Sequence, residues 1–281
     1  MRVIKSIKSL QASIKGIKSQ NRSIGFVPTM GALHDGHLSL IKNSRRENDT
    51  TIISIFVNPK QFGPKEDFFN YPRPEKKDIL LAKKEKIDII FYPSEKEMYP
   101  TSFLTSIQVD QMTKGLCGKS RPGHFQGVAT VVGKLLNIVT PDILYLGQKD
   151  AQQAIMIKQL ARDLNFPVLI KVCPTVREAD GLALSSRNIK LKLQHRKEAP
   201  ILFESLTCAQ KMIRNGEDNS AKIINWIRAN IKNHSSGKID YIECVNAESL
   251  APLPRIQGKA MIALAVYFGQ TRLIDNIIVH K

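Results

Sequence analysis

The sequence predicts an α/β protein in which a doubly wound parallel sheet is followed by a smaller α+β domain. From residue 1 to about residue 173, short apolar runs alternate with amphipathic stretches of helical period. This alternation is typical of parallel strands joined by crossover helices. Beyond Cys173 and Pro174 the pattern changes to helical stretches followed by three strands, without crossovers. We therefore expect a first domain at residues 1–174 and a second at residues 175–281.

Each element of the first domain is predicted by its own pattern. Val3 and Ile4 indicate a first strand, and apolar residues repeat at helical spacing from Ile7 to Ile17. The later strands are apolar runs closed by glycine, proline or polar residues, at 23–27, 51–57, 87–92, 142–146 and 168–172. The helical stretches between them are 36–48, a stretch after Pro74 with Ile79, Leu80 and Ala82 in its apolar stripe, 125–139 and 151–164.

The second domain and the cysteines follow from the same kind of evidence. We expect helices at about 194–214 and 219–232, then strands at 241–245, 260–268 and 272–279. The four cysteines are scattered singly, which favours a reducing compartment over a disulfide framework. No apolar run approaches the length of a membrane span, and no secretory signal is evident. We therefore expect a cytoplasmic protein with no membrane partner.

The formal net charge of +17 raises nucleic acid as a partner. The lysines are dispersed, however, and aromatic residues make up only 6% of the chain, so platforms for stacking bases are not evident. We expect weak, salt-sensitive association at most, and no specific nucleic-acid partner. The first 22 residues are basic and contain no acid, which allows a transit peptide, but their helical repeat favours a packed segment.

Two histidines at a predicted strand–helix junction give the main functional signal. His34 and His37 lie in the string PTMGALHDGHLSL, where an apolar strand turns into a helix. A helix start exposes unpaired N–H groups and the positive end of the helix dipole, so it attracts anions such as phosphate. Gly31 and Gly36 allow a ligand to approach the backbone closely. Two alternatives stay open: half of a metal site, or surface histidines beside a helix that Asp35 caps.

Loops after other predicted strands carry further polar residues. In a parallel sheet, ligands bind outside the carboxyl ends of the strands. In GQKDAQQ, Lys149 lies beside a helix start, where an ammonium is unfavourable unless an anion is present. The string GLALSSRN supplies two hydroxyls and a forked guanidinium, from Ser185, Ser186 and Arg187. Either string alone could simply cap a helix, but joined to the histidine turn they predict a polyphosphate site.

At this point the chain resembles a known family over its whole length. The strings that carry the resemblance are PTMGALHDGHLSL, SIFVNPKQF, YPRP, SRPGHFQGVATVV, PDILYLGQKDAQQ, DGLALSSRN and RLIDN. Together they resemble the pantoate–β-alanine ligases, or pantothenate synthetases, of the HIGH-motif nucleotidylyltransferase superfamily. The resemblance implies a Rossmann-type domain, a smaller C-terminal lid domain and a homodimer.

The same resemblance implies the reaction and its cofactors. D-pantoate, β-alanine and ATP would give pantothenate, AMP and pyrophosphate through an enzyme-bound pantoyl adenylate, a step of pantothenate and coenzyme A biosynthesis. Mg²⁺ would be held mainly by the ATP phosphates, so we name no protein ligand for it. One alternative is another enzyme of the superfamily that acts on a phosphorylated acceptor. A basic RNA-binding module is a second alternative, and the lack of aromatic motifs disfavours it.

Carried over position by position, the resemblance also implies residue roles. His37, His34 and Lys149 would be catalytic. The residues implied to bind ATP are Met30, His34, His37, Gly147, Gln148, Lys149, Asp150, Val176, Leu184, Ser185, Ser186 and Arg187. Gln61 and Gln153 would bind pantoate or β-alanine, while Asn58 and Arg121 would shape the site. Gln148 and Leu184 stand where many relatives carry glutamate and methionine, and neither change removes a group that the chemistry needs.

Overall fold

A six-stranded parallel sheet forms the centre of the first of two units. The structure is a computed structural model that describes residues 1–64 and 66–281. The first unit comprises Met1–Asp110, Arg121–Gly147 and Met156–Pro174. Its strands are β1 (Arg2–Ile4), β2 (Ile24–Thr29), β3 (Thr50–Ile55), β4 (Ile89–Phe91), β5 (Ile143–Gly147) and β6 (Leu169–Cys173), in the spatial order β1-β4-β3-β2-β5-β6. All neighbours pair in parallel, which confirms the predicted doubly wound sheet.

Seven helices follow or connect these strands in the described chain before residue 175. They are α1 (Ile7–Lys18), α2 (Asp35–Glu47), α3 (Glu75–Lys84), α4 (Glu95–Met98), α5 (Cys117–Ser120), α6 (His124–Val139) and α7 (Ala151–Asp163). Most element ends differ from the predicted ones by one or two residues. The two short helices α4 and α5 were not predicted, because four residues are too few to show a helical repeat.

The order of the strands positions the histidine turn. Strand β2 lies between β3 and β5, and the chain builds the sheet in one direction through β3 and β4 and in the other through β5 and β6. Such a reversal is the place where open parallel sheets bind ligands, just beyond the carboxyl ends of the strands. The turn after β2 therefore lies at the switch point of this sheet.

Burial agrees with the predicted core, with one exception. Every residue of β3 is buried, as expected for a central parallel strand. The apolar residues predicted to face inward from α6 are all buried: Val128, Val131, Val132, Leu135, Leu136 and Val139. Helix α3 is the exception, since Leu80 is 68% exposed and the prediction that it lies in the apolar stripe is wrong. The fully buried residues of α3 are Asp78 and Ala82.

The second unit comprises Gln111–Ser120, Gln148–Ile155 and Thr175–Lys281. Its antiparallel sheet has the order β7 (Lys238–Asn246), β8 (Lys259–Phe268) and β9 (Thr271–His280). Its own helices are α8 (Leu193–Glu198), α9 (Ile201–Arg214) and α10 (Ser220–His234). The prediction of a single helix at 194–214 is wrong. The helix is interrupted at Pro200, which has no N–H to continue the helical hydrogen bonds.

The two faces of this antiparallel sheet carry different apolar clusters. On one face Leu264 and Ile277 join a core that includes residues of α9 and α10. On the other face Met261 and Ala263 pack with Ala151, at the start of α7. Alternation of side chains along a strand produces this division. Among the residues that the structure describes, no helix is long and apolar enough to cross a membrane.

We predict that Gly127→Ala destabilises the protein. A Cβ at this position of α6 would lie 2.1 Å from the backbone carbonyl oxygen of Lys60, so the 59–61 turn would have to move. Overpacking of this kind costs about 1–3 kcal/mol, which urea unfolding would measure. The matched control is Gly16→Ala in α1, where a Cβ meets nothing within 4 Å. The control should gain about 0.5–1 kcal/mol in stability, and an equal gain for Gly127→Ala would contradict the prediction.

Candidate functional site

His34 forms the N-cap of α2 in the first unit. Its backbone is extended, and its ring Nδ1 accepts a hydrogen bond from Gly36 N at 3.1 Å. The alternative in which Asp35 caps the helix is therefore wrong. Because Nδ1 is the acceptor, a neutral His34 carries its proton on Nε2. The ring of His37 lies beside it, with 4.1 Å between the ring centroids.

A buried carboxylate holds the turn that leads to these histidines. Asp78 is 1% exposed, and its two oxygens accept hydrogen bonds from Ala32 N and Leu33 N, each at 2.8 Å. Burial raises the pKa of Asp78, although the two amides partly offset this. Gly31 has φ +81°, and a Cβ there would lie 2.9 Å from Asp78 Oδ2. Only glycine fits at this close approach.

Gln61 is held in one orientation by neighbours from the same unit. Its Oε1 accepts from Asn58 Nδ2 at 3.0 Å, and its Nε2 lies 3.1 Å from Met30 Sδ. Asn58 is fixed in turn, since its Nδ2 also donates to Gly127 O at 3.1 Å and its Oδ1 accepts from Tyr99 Oη at 2.8 Å. Both amides are buried. The structure thus places Met30 beside Gln61, in the loops after β2 and β3.

Arg121 acts on the same turn through its neighbours. Its guanidinium forms two hydrogen bonds to Glu66, at 2.8 and 2.6 Å, and lies 3.0 Å from His124 Nε2. His124 Nδ1 lies 2.8 Å from the carbonyl oxygen of Gln61. Burial tends to raise the pKa of Glu66, but the Arg121 guanidinium outweighs it and holds the pKa below its ordinary value. Arg121 therefore supports the backbone that carries Gln61.

In the second unit, Lys149 lies in a 3₁₀ turn at Gln148–Asp150 that runs into α7. Its ammonium is 3.6 Å from the Asp150 carboxylate, which supplies an anion beside this helix start. Asp150 is about half exposed, so water screens the pair. Gly147, the residue before this turn, ends β5 in the first unit. Gln153 follows in the first turn of α7 and is partly buried.

The segment from Val176 to Arg187 forms a short hairpin and a turn in the second unit. Leu184 N donates to Val176 O at 3.0 Å, and Arg177 bridges to Ala183 in antiparallel fashion. Ser185 Oγ accepts from Arg187 N at 3.2 Å, so this serine does close a turn. Ser185, Ser186 and Arg187 are all partly buried. Binding of ATP by Val176, Leu184 and these three residues stays a prediction.

The structure groups the predicted residues into two sets. The first unit brings together Met30 with Gln61, and His34 with His37. The second unit contains Gln148, Lys149, Asp150, Gln153 and the 176–187 segment. The prediction that histidines and Lys149 hold one triphosphate stays a prediction.

The sequence analysis did not identify the residues that hold the loops of the candidate site in place. Asp78 holds the histidine turn, and Asn276 donates to the carbonyl oxygens of Gln148 and Lys149. Gln152 is buried and binds the backbone of Met112, Gly115 and Cys117, whereas the sequence pointed to its neighbour Gln153. The sequence offers one signal for such residues, namely a carboxylate or amide at a position where the periodicity predicts a buried apolar side chain.

Comparisons with known proteins agree over both units. The family described as pantoate-beta-alanine ligase matches residues 2–278. Pantothenate synthetase of Caldicellulosiruptor saccharolyticus is 53% identical over 279 residues, which cover 99% of each chain. The crystal structure of pantothenate synthetase from Thermus thermophilus is 41% identical with a TM-score of 0.95 and covers 100% of each chain. Pantoate-beta-alanine ligase from Francisella tularensis, complexed with beta-gamma ATP and beta-alanine, is 40% identical with a TM-score of 0.80, covering 99% of this chain and 97% of that one.

We predict that stability responds to pH through Asp78 in a direction opposite to that of an ordinary carboxylate. Because its pKa in the folded protein is raised above the ordinary 3.8, its contribution is present below that value and is lost as pH rises through the folded pKa. The unfolding free energy of wild type minus that of Asp78→Asn should therefore fall as pH rises above 3.8 and through the folded pKa, as measured by urea unfolding.

The control for this prediction is Asp49→Asn. Asp49 is exposed, and hydrogen bonds from Ser23 hold its pKa below 3.8, so its contribution changes only in more acid solution. The difference in unfolding free energy between wild type and Asp49→Asn should stay constant over the same pH range. A wild-type advantage over Asp78→Asn that grows with pH would contradict the account of Asp78.

Proposed function

The chain belongs to the pantoate–β-alanine ligase family, and from that premise we propose that it activates pantoate as pantoyl adenylate before β-alanine attacks. It is an ATP-dependent ligase that condenses pantoate with β-alanine. The observation that carries the proposed ATP site is the pair of imidazoles at the start of α2, at the switch point of the parallel sheet.

Activation is needed because a carboxylate is a poor acyl donor. In the first step a carboxylate oxygen of pantoate attacks the α-phosphorus of ATP, the bond to the bridging oxygen breaks, and pyrophosphate leaves. In the second step the uncharged amine of β-alanine attacks the acyl carbon, AMP leaves, and the amine gives up a proton. Both steps depend on alignment and on neutralising the charge that develops on phosphate oxygens. No covalent bond to the protein is required.

In the first unit, the start of α2 would bind the phosphates of ATP. The helix N–H groups and its dipole attract anions, and His34 carries its proton on Nε2 when neutral, so it offers a donor to a phosphate oxygen. His37 would supply the second ring donor and stabilise the charge on the leaving pyrophosphate. Asp78 supports this arrangement because it fixes the two amides that precede His34.

Gln61 would hold pantoate in the same unit. Its carbonyl oxygen is used by Asn58, and its Nε2 meets a thioether, which is a weak acceptor. A hydroxyl or carboxylate oxygen of pantoate would therefore be a better partner for the Nε2–H groups than Met30 Sδ. The network of Asn58, Arg121 and His124 would keep this amide in place.

In the second unit, Lys149 would bind the phosphates whose charge increases as pyrophosphate leaves. Its present partner Asp150 is half exposed, so a triphosphate would compete well for the ammonium. Asp150 would then accept from the ribose hydroxyls. Gly147 of the first unit and Val176 would contact the nucleoside through the backbone, while Ser185, Ser186 and Arg187 would bind phosphate oxygens. Gln153 would assist with pantoate.

Mg²⁺ would act by neutralising phosphate charge. Within residues 1–64 and 66–281, no group of three or more His, Cys, Asp or Glu side chains is arranged to hold a metal ion. We propose that the cation binds mainly through ATP oxygens and water. We further propose that the enzyme is a homodimer in the cytoplasm.

Exchange of labelled pyrophosphate into ATP tests the proposed adenylate. Exchange should require pantoate and proceed without β-alanine, because the first step alone regenerates ATP when it runs backward. Lys149→Ala should reduce the exchange rate by about 10²–10³-fold, with no change in thermal stability. The control is Lys158→Ala, which removes an exposed lysine of α7. A folded wild-type protein without exchange would rule out the adenylate, and a loss of thermal stability in Lys149→Ala would favour a purely structural lysine.

Two substitutions at His34 should separate helix capping from ligand binding. His34→Asn keeps an acceptor for Gly36 N, so its stability should stay within about 0.5 kcal/mol of wild type while exchange is lost. His34→Ala should lose exchange and about 1 kcal/mol of stability as well, because Gly36 N then has no side-chain acceptor. Both quantities are measured on the same preparations. Full exchange by His34→Asn would show that the ring is only a cap.

A further inference from the structure

Two buried polar residues lie next to each other in β9. Asp275 and Asn276 are each 3% exposed. They belong to the string RLIDN, to which the proposed mechanism gives no role. Consecutive residues of a strand point to opposite faces of a sheet. Buried polar groups are costly unless they are hydrogen-bonded, so the partners of this pair show what it does.

Asn276 fastens the turn that carries Lys149. Its Nδ2 donates to the carbonyl oxygen of Gln148 at 2.9 Å and to that of Lys149 at 3.1 Å. Both N–H groups of the amide are thereby used on two consecutive backbone carbonyls. Its Oδ1 lies 3.5 Å from Gln148 Nε2. A carboxylate at this position would instead face two carbonyl oxygens, so the amide is the side chain that fits.

Asp275 fastens the hairpin that leads to Ser185. Its two oxygens accept from Arg177 at 2.6 and 3.0 Å, a bidentate pair with a nearly fully buried acid. The same guanidinium donates to Gly181 O at 3.0 Å and lies 3.8 Å from the ring centre of Phe203. Gly181 has φ +90°, and a Cβ there would meet the Phe203 ring at 2.5 Å. The hairpin is thus fixed at its tip and at its base.

We propose that Asp275 and Asn276 position the two segments of the second unit that are proposed to bind ATP. Asn276 sets the backbone from which Lys149 projects, and Asp275 sets the hairpin that precedes Ser185, Ser186 and Arg187. In this proposal neither residue touches the substrate, and each acts through the segment that it holds. This inference rests on the proposed function, because it assumes that these two segments bind ATP. Their common attachment to one strand keeps the spacing of the lysine and the Ser-Ser-Arg string constant.

The test uses the full chain and pantoate-dependent pyrophosphate exchange. Asn276→Ala should lower the maximal exchange rate about tenfold or more, because small displacements of a catalytic group are costly, and leave the apparent KM for pantoate unchanged. Asn276→Ser, which retains one hydroxyl donor, is a milder variant that keeps the test valid if the alanine variant does not fold. The control is Ile277→Val on the same strand, which should lower the Tm without changing the exchange rate.

A double-mutant cycle gives the decisive readout. If Asn276 acts through Lys149, Asn276→Ala should change the residual exchange of Lys149→Ala by less than twofold, because coupled residues are not additive. Arg177→Lys, which breaks the bidentate pair with Asp275, should show the same non-additivity with Arg187→Ala. Additive effects in both cycles, or an Asn276→Ala rate equal to that of Ile277→Val, would overturn the proposal.

The failure of this inference differs from the failure of the proposed function. If wild type shows no exchange, the proposed adenylate is wrong; if Lys149→Ala exchanges normally, the proposed role of Lys149 is wrong. If Lys149→Ala loses exchange while Asn276→Ala keeps it, only the proposed positioning role is wrong. A stability loss of Asn276→Ala matched by Ile277→Val, with exchange unaffected in both, leads to the same conclusion.

Discussion

The start of α2 at the carboxyl end of β2 is the constraint on which the candidate site depends. A helix that begins here leaves unpaired N–H groups and a positive dipole end at the switch point of the sheet. The chain can make this turn only because Gly31 adopts a positive φ and Asp78 accepts two backbone amides. His34 then caps the helix with one ring nitrogen and carries the proton of its neutral form on the other. Capping and the proposed binding of phosphate thus share one side chain.

The same principle recurs in both units: a buried polar side chain fixes a loop that carries residues of the candidate site. Asp78 does so for the histidine turn, Asn58 for Gln61, and Asn276 for the turn of Lys149. Each loses hydration on burial and offsets that cost through two or more hydrogen bonds. The proposed attack on the α-phosphorus of ATP depends mainly on alignment, so rigid loops with polar anchors suit it.

The fold could largely be predicted from the sequence, because its signals are local, whereas the roles of the site residues stay predictions. A β-branched run such as β3 indicates a buried parallel strand, and the histidine pair after β2 indicates a phosphate site. The break at Pro200 was also visible in the sequence, but the apolar repeat on either side concealed it. The spacing of Leu80 predicts a buried position, but Leu80 is exposed. Asp78 is buried instead, because it accepts a hydrogen bond from a distant turn.

The hydrogen-bond partners of these buried polar residues could not be predicted, because the partners lie far away along the chain. Asp78 binds an amide 46 positions earlier, and Asn276 binds a carbonyl 128 positions earlier. No local sequence pattern indicates such a pair. The pair forms only when folding brings β9 next to the turn. Periodicity predicts which positions are buried. Which of those positions need a polar side chain depends on the backbone groups that the tertiary fold brings next to them.

A crystal structure of the enzyme with ATP and Mg²⁺ would show whether the start of α2 binds the triphosphate. We expect phosphate oxygens within hydrogen-bond distance of the ring nitrogens of His34 and His37. Nucleotide density elsewhere, with the start of α2 occupied only by water, would refute the proposed role of this helix start.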